Sequence, residues 1–132
     1  MLRKVNRIQK DADYKKIFKL SKPVYGEKIM IRSLPNRQSL KVRFGFIISN
    51  KIEKRATRRN SLKRKFRAVA AEFLPLVKES SDIVVIIKQN YSFPYSFELI
   101  RKDFQSTLQK TNVFNEKNHH QGDKALSKDA VS

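Results

Sequence analysis

Residues Ile83-Val84-Val85-Ile86-Ile87 form an unbroken β-branched run. Such side chains are stiff at χ1 and fit a pleated surface, and a strand with no polar alternation belongs in the centre of a sheet, covered on both faces. That demand asks for flanking strands and for helices above and below, and the rest of the chain offers both. Glu27 to Leu34 alternates Lys28, Met30 and Arg32 on one face with Ile29 and Ile31 on the other, the period of a half-buried strand. Leu40 to Ser49 repeats the pattern, with Leu40, Val42, Phe44, Phe46 and Ile48 inward and Arg43, Gly45, Ile47 and Ser49 outward. With Pro35 to Ser39 as a turn, these two strands are expected to pair as a hairpin.

The period then becomes helical: Leu62, Phe66, Val69 and Phe73 lie at i, i+4, i+7 and i+11. Thr57 is the expected N-cap and Pro75 lies near the stop. A short amphipathic helix is predicted over Asp11 to Leu20, with Tyr14, Ile17 and Phe18 on one side and Lys10 one turn before; it ends near Ser21, because Pro23 disfavours helix at the residue before it. After a loop containing Pro94, a last helix is marked by Phe97, Ile100, Arg101, Phe104 and Leu108. The order is helix, strand, strand, helix, strand, helix, with a possible short extra strand around Val24. No internal repeat is visible. A single domain is expected over 1–110, followed by a polar tail over 111–132 that the composition predicts to be disordered.

Charge narrows the function. The chain of 132 residues has 30 Lys and Arg against 12 Asp and Glu, a formal net charge of +18. That excess adds self-repulsion without filling a core, so an external polyanion is the expected partner, nucleic acid ahead of a membrane surface. Cysteine is absent, which excludes disulfides and thiolate metal sites. With no signal-like or membrane-length apolar run, a cytoplasmic location is expected. No metal-ligand cluster, Gly-rich phosphate loop or paired-carboxylate site points to catalysis by the protein or to a small-molecule substrate. His119 and His120, adjacent in the tail, read as incidental.

The basic residues concentrate between Lys51 and Arg67: Lys51, Lys54, Arg55, Arg58, Arg59, Lys63, Arg64, Lys65 and Arg67, with Glu53 the one acid among them. At about 100° per residue, Arg59, Lys63, Arg67, Asn60 and Arg64 share an arc of roughly 140° beside the apolar stripe. One face docks on the sheet and the other is a cationic ridge. A solvated face would interleave acids for i,i+4 pairing, and this one does not. Arginine forks and lysine charges together suit a phosphate backbone. Asn60 could meet a base edge, a 2′-OH or neighbouring backbone, or serve only as a surface residue or local cap.

The arrangement Ala56-x-x-Arg59-Asn60-x-x-Lys63-Arg64-x-x-Arg67 after a strand ending in Ser49 and Lys51 closely resembles the signature of the bacterial ribonuclease P protein family. Asn6-Arg7-Ile8, the Tyr14 and Phe18 pair, Arg43-Phe44-Gly45-Phe46 and Asp82 extend the resemblance to about Lys110. It implies an α+β fold, a two-layer α/β sandwich of a mostly four-stranded mixed sheet with helices packed on it, order α-β-β-(β)-α-β-α, and a left-handed βαβ crossover where the default is right-handed. It also implies an accessory subunit of a ribonucleoprotein endonuclease that removes the 5′ leader of precursor tRNA. Catalysis and Mg²⁺ then belong to the RNA subunit, and the protein binds no cofactor. The implied RNA-subunit contacts are Lys51, Lys54, Arg55, Arg58, Arg59, Asn60, Lys63, Arg64 and Arg67. Two departures stand out: Ser61 replaces the second arginine of the family's Arg-Asn-Arg triplet, and the Ile52-Glu53-Lys54-Arg55 connection is one residue longer and lacks the usual glycine.

On the residues alone Tyr14 and Phe18 read as core. The resemblance instead puts them in a cleft for the precursor leader, together with Lys10, Met30, Arg32 and Lys88. Aromatic faces beside cations suit unpaired nucleotides. Arg32 stands where an aromatic is often found, which favours an ionic contact over a stacked one. The competing reading is a non-enzymatic, ribosome-associated RNA-binding protein; a DNA-binding architectural protein is a third.

Overall fold

The computed structural model describes residues 2–36, 41–77 and 81–111. Its elements are helix α1 (Asp11–Leu20), strands β1 (Pro23–Tyr25), β2 (Ile29–Pro35) and β3 (Arg43–Ile47), helix α2 (Ala56–Phe73), strand β4 (Ser81–Ile87) and helix α3 (Phe97–Lys110), with single 3-10 turns at Lys4–Asn6 and Leu74–Leu76. The short strand near Val24 is therefore present. The expected turn lies partly outside the described residues, as do Leu40, the two histidines and the tail beyond Thr111.

The sheet order is β1-β2-β4-β3, so the expected β2–β3 hairpin does not form. The all-apolar β4 takes the place between them, antiparallel to β2 from Ile29↔Ile87 to Pro35↔Ser81 and parallel to β3 from Arg43↔Asp82 to Ile47↔Ile86. A hairpin would have left β4 at an edge with its ladder unpaired; inserting it satisfies both edges. The parallel β3–β4 pair is joined through α2, a βαβ unit.

The alternation of β4 sorts the core. Ile83, Val85 and Ile87 face α2 and α3, joining Ile29, Ile31, Phe44 and Phe46 with Leu62, Phe66, Val69, Phe73, Ile100, Phe104 and Leu108. Aromatic rings lock this layer: Phe66 meets Phe46, Phe104 and Tyr91 at centroid distances of 5.8, 6.1 and 6.0 Å, within the range of favourable offset and edge contacts. Val84 turns the other way and packs with Ile8 and Ile17, flanked by Tyr14, Leu34, Ile47 and Ile86. Helix α1 thus lies on the second sheet face. This explains why Met30, expected to point outward, is buried.

Two further contacts fix α1 and the N-terminal segment. Arg43 holds Asp82 through Nε and Nη2 at 2.9 and 2.7 Å and reaches Asp13 of α1 at 3.2 Å; these bonds raise its pKa, the Asp82 hydrogen bond first. The segment before α1 lies along the outer edge of β3, where Ile8 N–H donates to Phe44 O and Asn6 Nδ2 to Val42 O.

Candidate nucleic-acid interface

Helix α2 begins one residue before the expected cap. Arg55 is its N-cap residue, without a side-chain cap bond, and Thr57 lies inside the helix. The reason lies in Glu53. Its carboxylate accepts the Arg55 N–H at 3.0 Å, Asn90 Nδ2 at 2.9 Å and the Tyr95 hydroxyl at 3.3 Å. A carboxylate at a helix N-terminus also meets the positive end of the dipole. These bonds, the Arg55 N–H foremost, hold the Glu53 carboxyl below its ordinary range. The glycine-free connection is thus organised by the lone acid in the basic stretch, a role that the charge pattern by itself does not reveal.

Along α2 the buried stripe is Leu62, Phe66, Val69, Ala70 and Phe73. Asn60 and Arg64 are exposed, while Arg59, Lys63 and Arg67 are half-buried along one flank. Arg59 Nη1 donates to the carbonyls of Glu53 and Lys54 at 2.8 and 3.0 Å, which ties the ridge to the connection carrying exposed Lys51, Lys54 and Arg55. Arg58 does not join this group. It lies on the opposite flank of the stripe, with its guanidinium 3.9 Å from the centroid of the Phe93 ring.

The ridge and the α1 face meet at the outer edge of β3. There a pocket of about 290 Å³ is lined by Lys4, Arg7, Ile8, Gln9, Tyr14, Phe44, Gly45, Phe46, Lys63 and Arg67. Four cations from two segments surround one phenol. Burial, then Arg7, push the Arg67 pKa down, the signature of a positive charge short of compensation. Burial raises Tyr14, and its hydroxyl donates to Ile8 O at 3.2 Å. Lys4 and Arg7 were not among the expected contacts. Arg7 stood in the resembling Asn6-Arg7-Ile8 segment, but only the backbone path along β3 brings it to α2.

The remaining candidates share the second sheet face. Phe18 is 38% exposed, and the Arg32 guanidinium carbon sits 5.5 Å from its ring centroid. Arg32 Nη1 also donates to Ser21 O at 2.8 Å and Phe18 O at 3.3 Å, so it closes the C-terminal end of α1, whose carbonyls lack helical partners. Its Nε is buried without a hydrogen-bond partner among the described residues. Met30 pairs with Ile86 of β4 and Tyr25 of β1. Lys88, two residues beyond Ile86, is exposed, and its N–H donates to Lys28 O. Lys10 is exposed at the N-cap of α1. Tyr25, the cross-strand partner of Met30, is 62% exposed and was missed because a three-residue strand leaves little periodic signal.

A family model described as Ribonuclease P matches residues 2–112. The chain belongs to the ribonuclease P protein family. A ribonuclease P protein component from Syntrophomonas wolfei is 33% identical over 114 residues, covering 86% of this chain and 93% of the relative. One from Synechocystis is 36% identical over 86 residues, 65% of this chain and 69% of that protein. Among solved structures, the ribonuclease P protein of Staphylococcus aureus aligns with a TM-score of 0.74 at 26% identity, over 83% of this chain and 98% of the other. That of Thermotoga maritima gives 0.66 at 25% identity, over 79% and 96%. The α+β fold expected from the resemblance is the fold of this ribonuclease P family member. Among its described residues there is no group of three or more His, Cys, Asp or Glu placed to hold a metal, and no helix long and apolar enough to cross a membrane.

Proposed function

We propose that the chain is the protein subunit of ribonuclease P: it grips the catalytic RNA along the exposed side of α2 and holds the 5′ leader of precursor tRNA across the α1 face. The observation that supports this most is the four-cation pocket at the β3 edge, because it joins Tyr14 of α1 and the N-terminal segment to the basic flank of α2, which lies far away in sequence. A phosphate there would relieve the mutual repulsion of Arg7, Arg64 and Arg67 and release condensed counterions. Asn60 and Arg64 reach outward beside it for backbone or base-edge contacts. On the other side, the exposed Phe18 ring and Tyr25 offer stacking faces, with Lys10 and Lys88 as flanking charges for an unpaired strand.

In this reading the protein contributes binding and orientation. Its cations lower the electrostatic cost of bringing two polyanions together, and Mg²⁺ and the hydrolytic step belong to the RNA. A ribosome-associated RNA-binding role would share the charge but gives no reason for Tyr14 of α1 to join the ridge across the β3 edge.

The test is assembly with bacterial ribonuclease P RNA, measured by filter binding across a salt series. Removing a cation that neutralises one phosphate should flatten the slope of log K against log salt by about 0.9 for a duplex backbone. Arg64→Ala with Arg67→Ala should therefore weaken binding and reduce the slope by the equivalent of one to two phosphates. An unchanged slope removes the ridge from the interface.

A further inference from the structure

Arg58 and Phe93 stand outside both surfaces described above, yet their positions are closely determined. Phe93 lies in the connection between β4 and α3 and is 51% exposed. The Arg58 guanidinium carbon lies 3.9 Å from its centroid. The Phe93 ring and that of Tyr95 are perpendicular, with centroids 5.2 Å apart and an interplanar angle of 89°. Tyr95 is itself buried, and its hydroxyl is held by Glu53, which also holds Asn90 from the same connection and the backbone N–H of Arg55 at the start of α2. One carboxylate thus locks the aromatic connection to the start of the basic helix.

A single exposed apolar side chain is ordinary in itself; what sets Phe93 apart is how closely its ring is held. Here the ring is fixed in orientation and backed by a guanidinium, and the connection that carries it is tied through Glu53 to the segment bearing exposed Lys51, Lys54 and Arg55. A rigid π-face among cations matches the chemistry of an unpaired nucleotide, whose base stacks while its phosphate meets the charges. We propose that Phe93, backed by Arg58, is a stacking platform for an unpaired base of the RNA bound along α2, on the flank of that helix away from the leader cleft. The proposal rests on the reading of α2 as an RNA-binding helix and adds a base-reading contact to what is otherwise a phosphate-binding surface.

The chain contains no tryptophan, so Phe93→Trp places a single reporter at the platform. Adding bacterial ribonuclease P RNA to the full-length variant should strongly quench its emission and leave affinity at or above that of the unaltered protein. Phe93→Leu, which keeps an apolar side chain beside Tyr95, should weaken binding roughly five- to a hundredfold, as removal of one base stack does. Its salt slope should stay that of the parent, because every phosphate keeps its cation. Unchanged emission, together with parental affinity for Phe93→Leu while Arg64→Ala with Arg67→Ala binds weakly, overturns the platform and leaves the ridge standing. Parental affinity in both the Phe93→Leu and the double-arginine variants overturns the RNA-binding reading of α2, and the platform with it.

Discussion

Gly45 is the point at which the packing of α1 on the sheet can be tested with one methyl group. It sits in β3 directly beneath the ring of Tyr14, and a Cβ added there would lie 2.8 Å from both Cε1 and Cζ of that ring and closer still to its hydroxyl. Ordinary carbon contacts lie near 3.5–4.0 Å, so the ring must retreat by about 1 Å or leave. Retreat is opposed by the packing of Tyr14 on the Ile8, Ile17 and Val84 cluster, and departure also breaks its hydrogen bond to Ile8 O. Overpacking of this kind costs about 1–3 kcal/mol, and a broken hydrogen bond adds about 1 kcal/mol. Gly45→Ala should therefore destabilise the protein by about 2 kcal/mol, a fall in Tm of roughly 8–12 °C for a domain near 100 residues. Thermal unfolding followed by circular dichroism measures it. In a Tyr14→Ala background Gly45→Ala should cost less than about 0.5 kcal/mol, since the coupled pair is then gone. An unchanged Tm, or an equal loss in both backgrounds, would refute the close approach as the cause.

Phe18→Ala should weaken holoenzyme binding of leader-bearing precursor tRNA by roughly five- to tenfold, the lower end of a single base stack, and leave mature tRNA binding nearly unchanged; equal loss for both removes Phe18 from a leader cleft. Glu53→Gln tests the lock at the start of α2 through pH. The Glu53 pKa is depressed in the folded protein, so its contribution to stability is present above the unfolded carboxylate value of about 4.3 and is lost as pH falls through the folded value. The Tm gap between parent and variant should accordingly be open at neutral pH and close in acid below that value, and a gap constant across the range contradicts the assignment.

How much of this was legible beforehand follows from which interactions are local. The period-two and period-3.6 stripes depend on neighbours along the chain, and α1 spans Asp11–Leu20 as the pattern predicts. The β2–β3 hairpin failed because strand pairing is decided by a competitor far along the chain: the apolar run of β4 gains more from the centre than two adjacent alternating strands gain from each other. Thr57 failed as a cap because the helix starts one residue earlier, after a connection whose Glu53 carboxylate holds the Arg55 N–H. For the site, charge density and phasing marked Arg59 to Arg67. Charge density alone could not separate Arg58 from them; helical phasing puts it across the apolar stripe, and the contact with Phe93 shows what it meets there. Lys4 and Arg7 were hidden because they reach the pocket through a segment laid along the β3 edge by long-range bonds from Ile8 N–H and Asn6 Nδ2, which no local periodicity marks.

The central claim is that this surface assists an RNA catalyst in removing a tRNA leader. Its most direct test is reconstitution: the purified chain is added to bacterial ribonuclease P RNA at a Mg²⁺ concentration too low for the RNA to act alone, and release of the 5′ leader from precursor tRNA is followed. The account predicts cleavage at the mature 5′ end that depends on the protein and disappears with Arg64→Ala and Arg67→Ala together. Absence of stimulation by the folded protein, with co-sedimentation on ribosomal subunits instead, would contradict it.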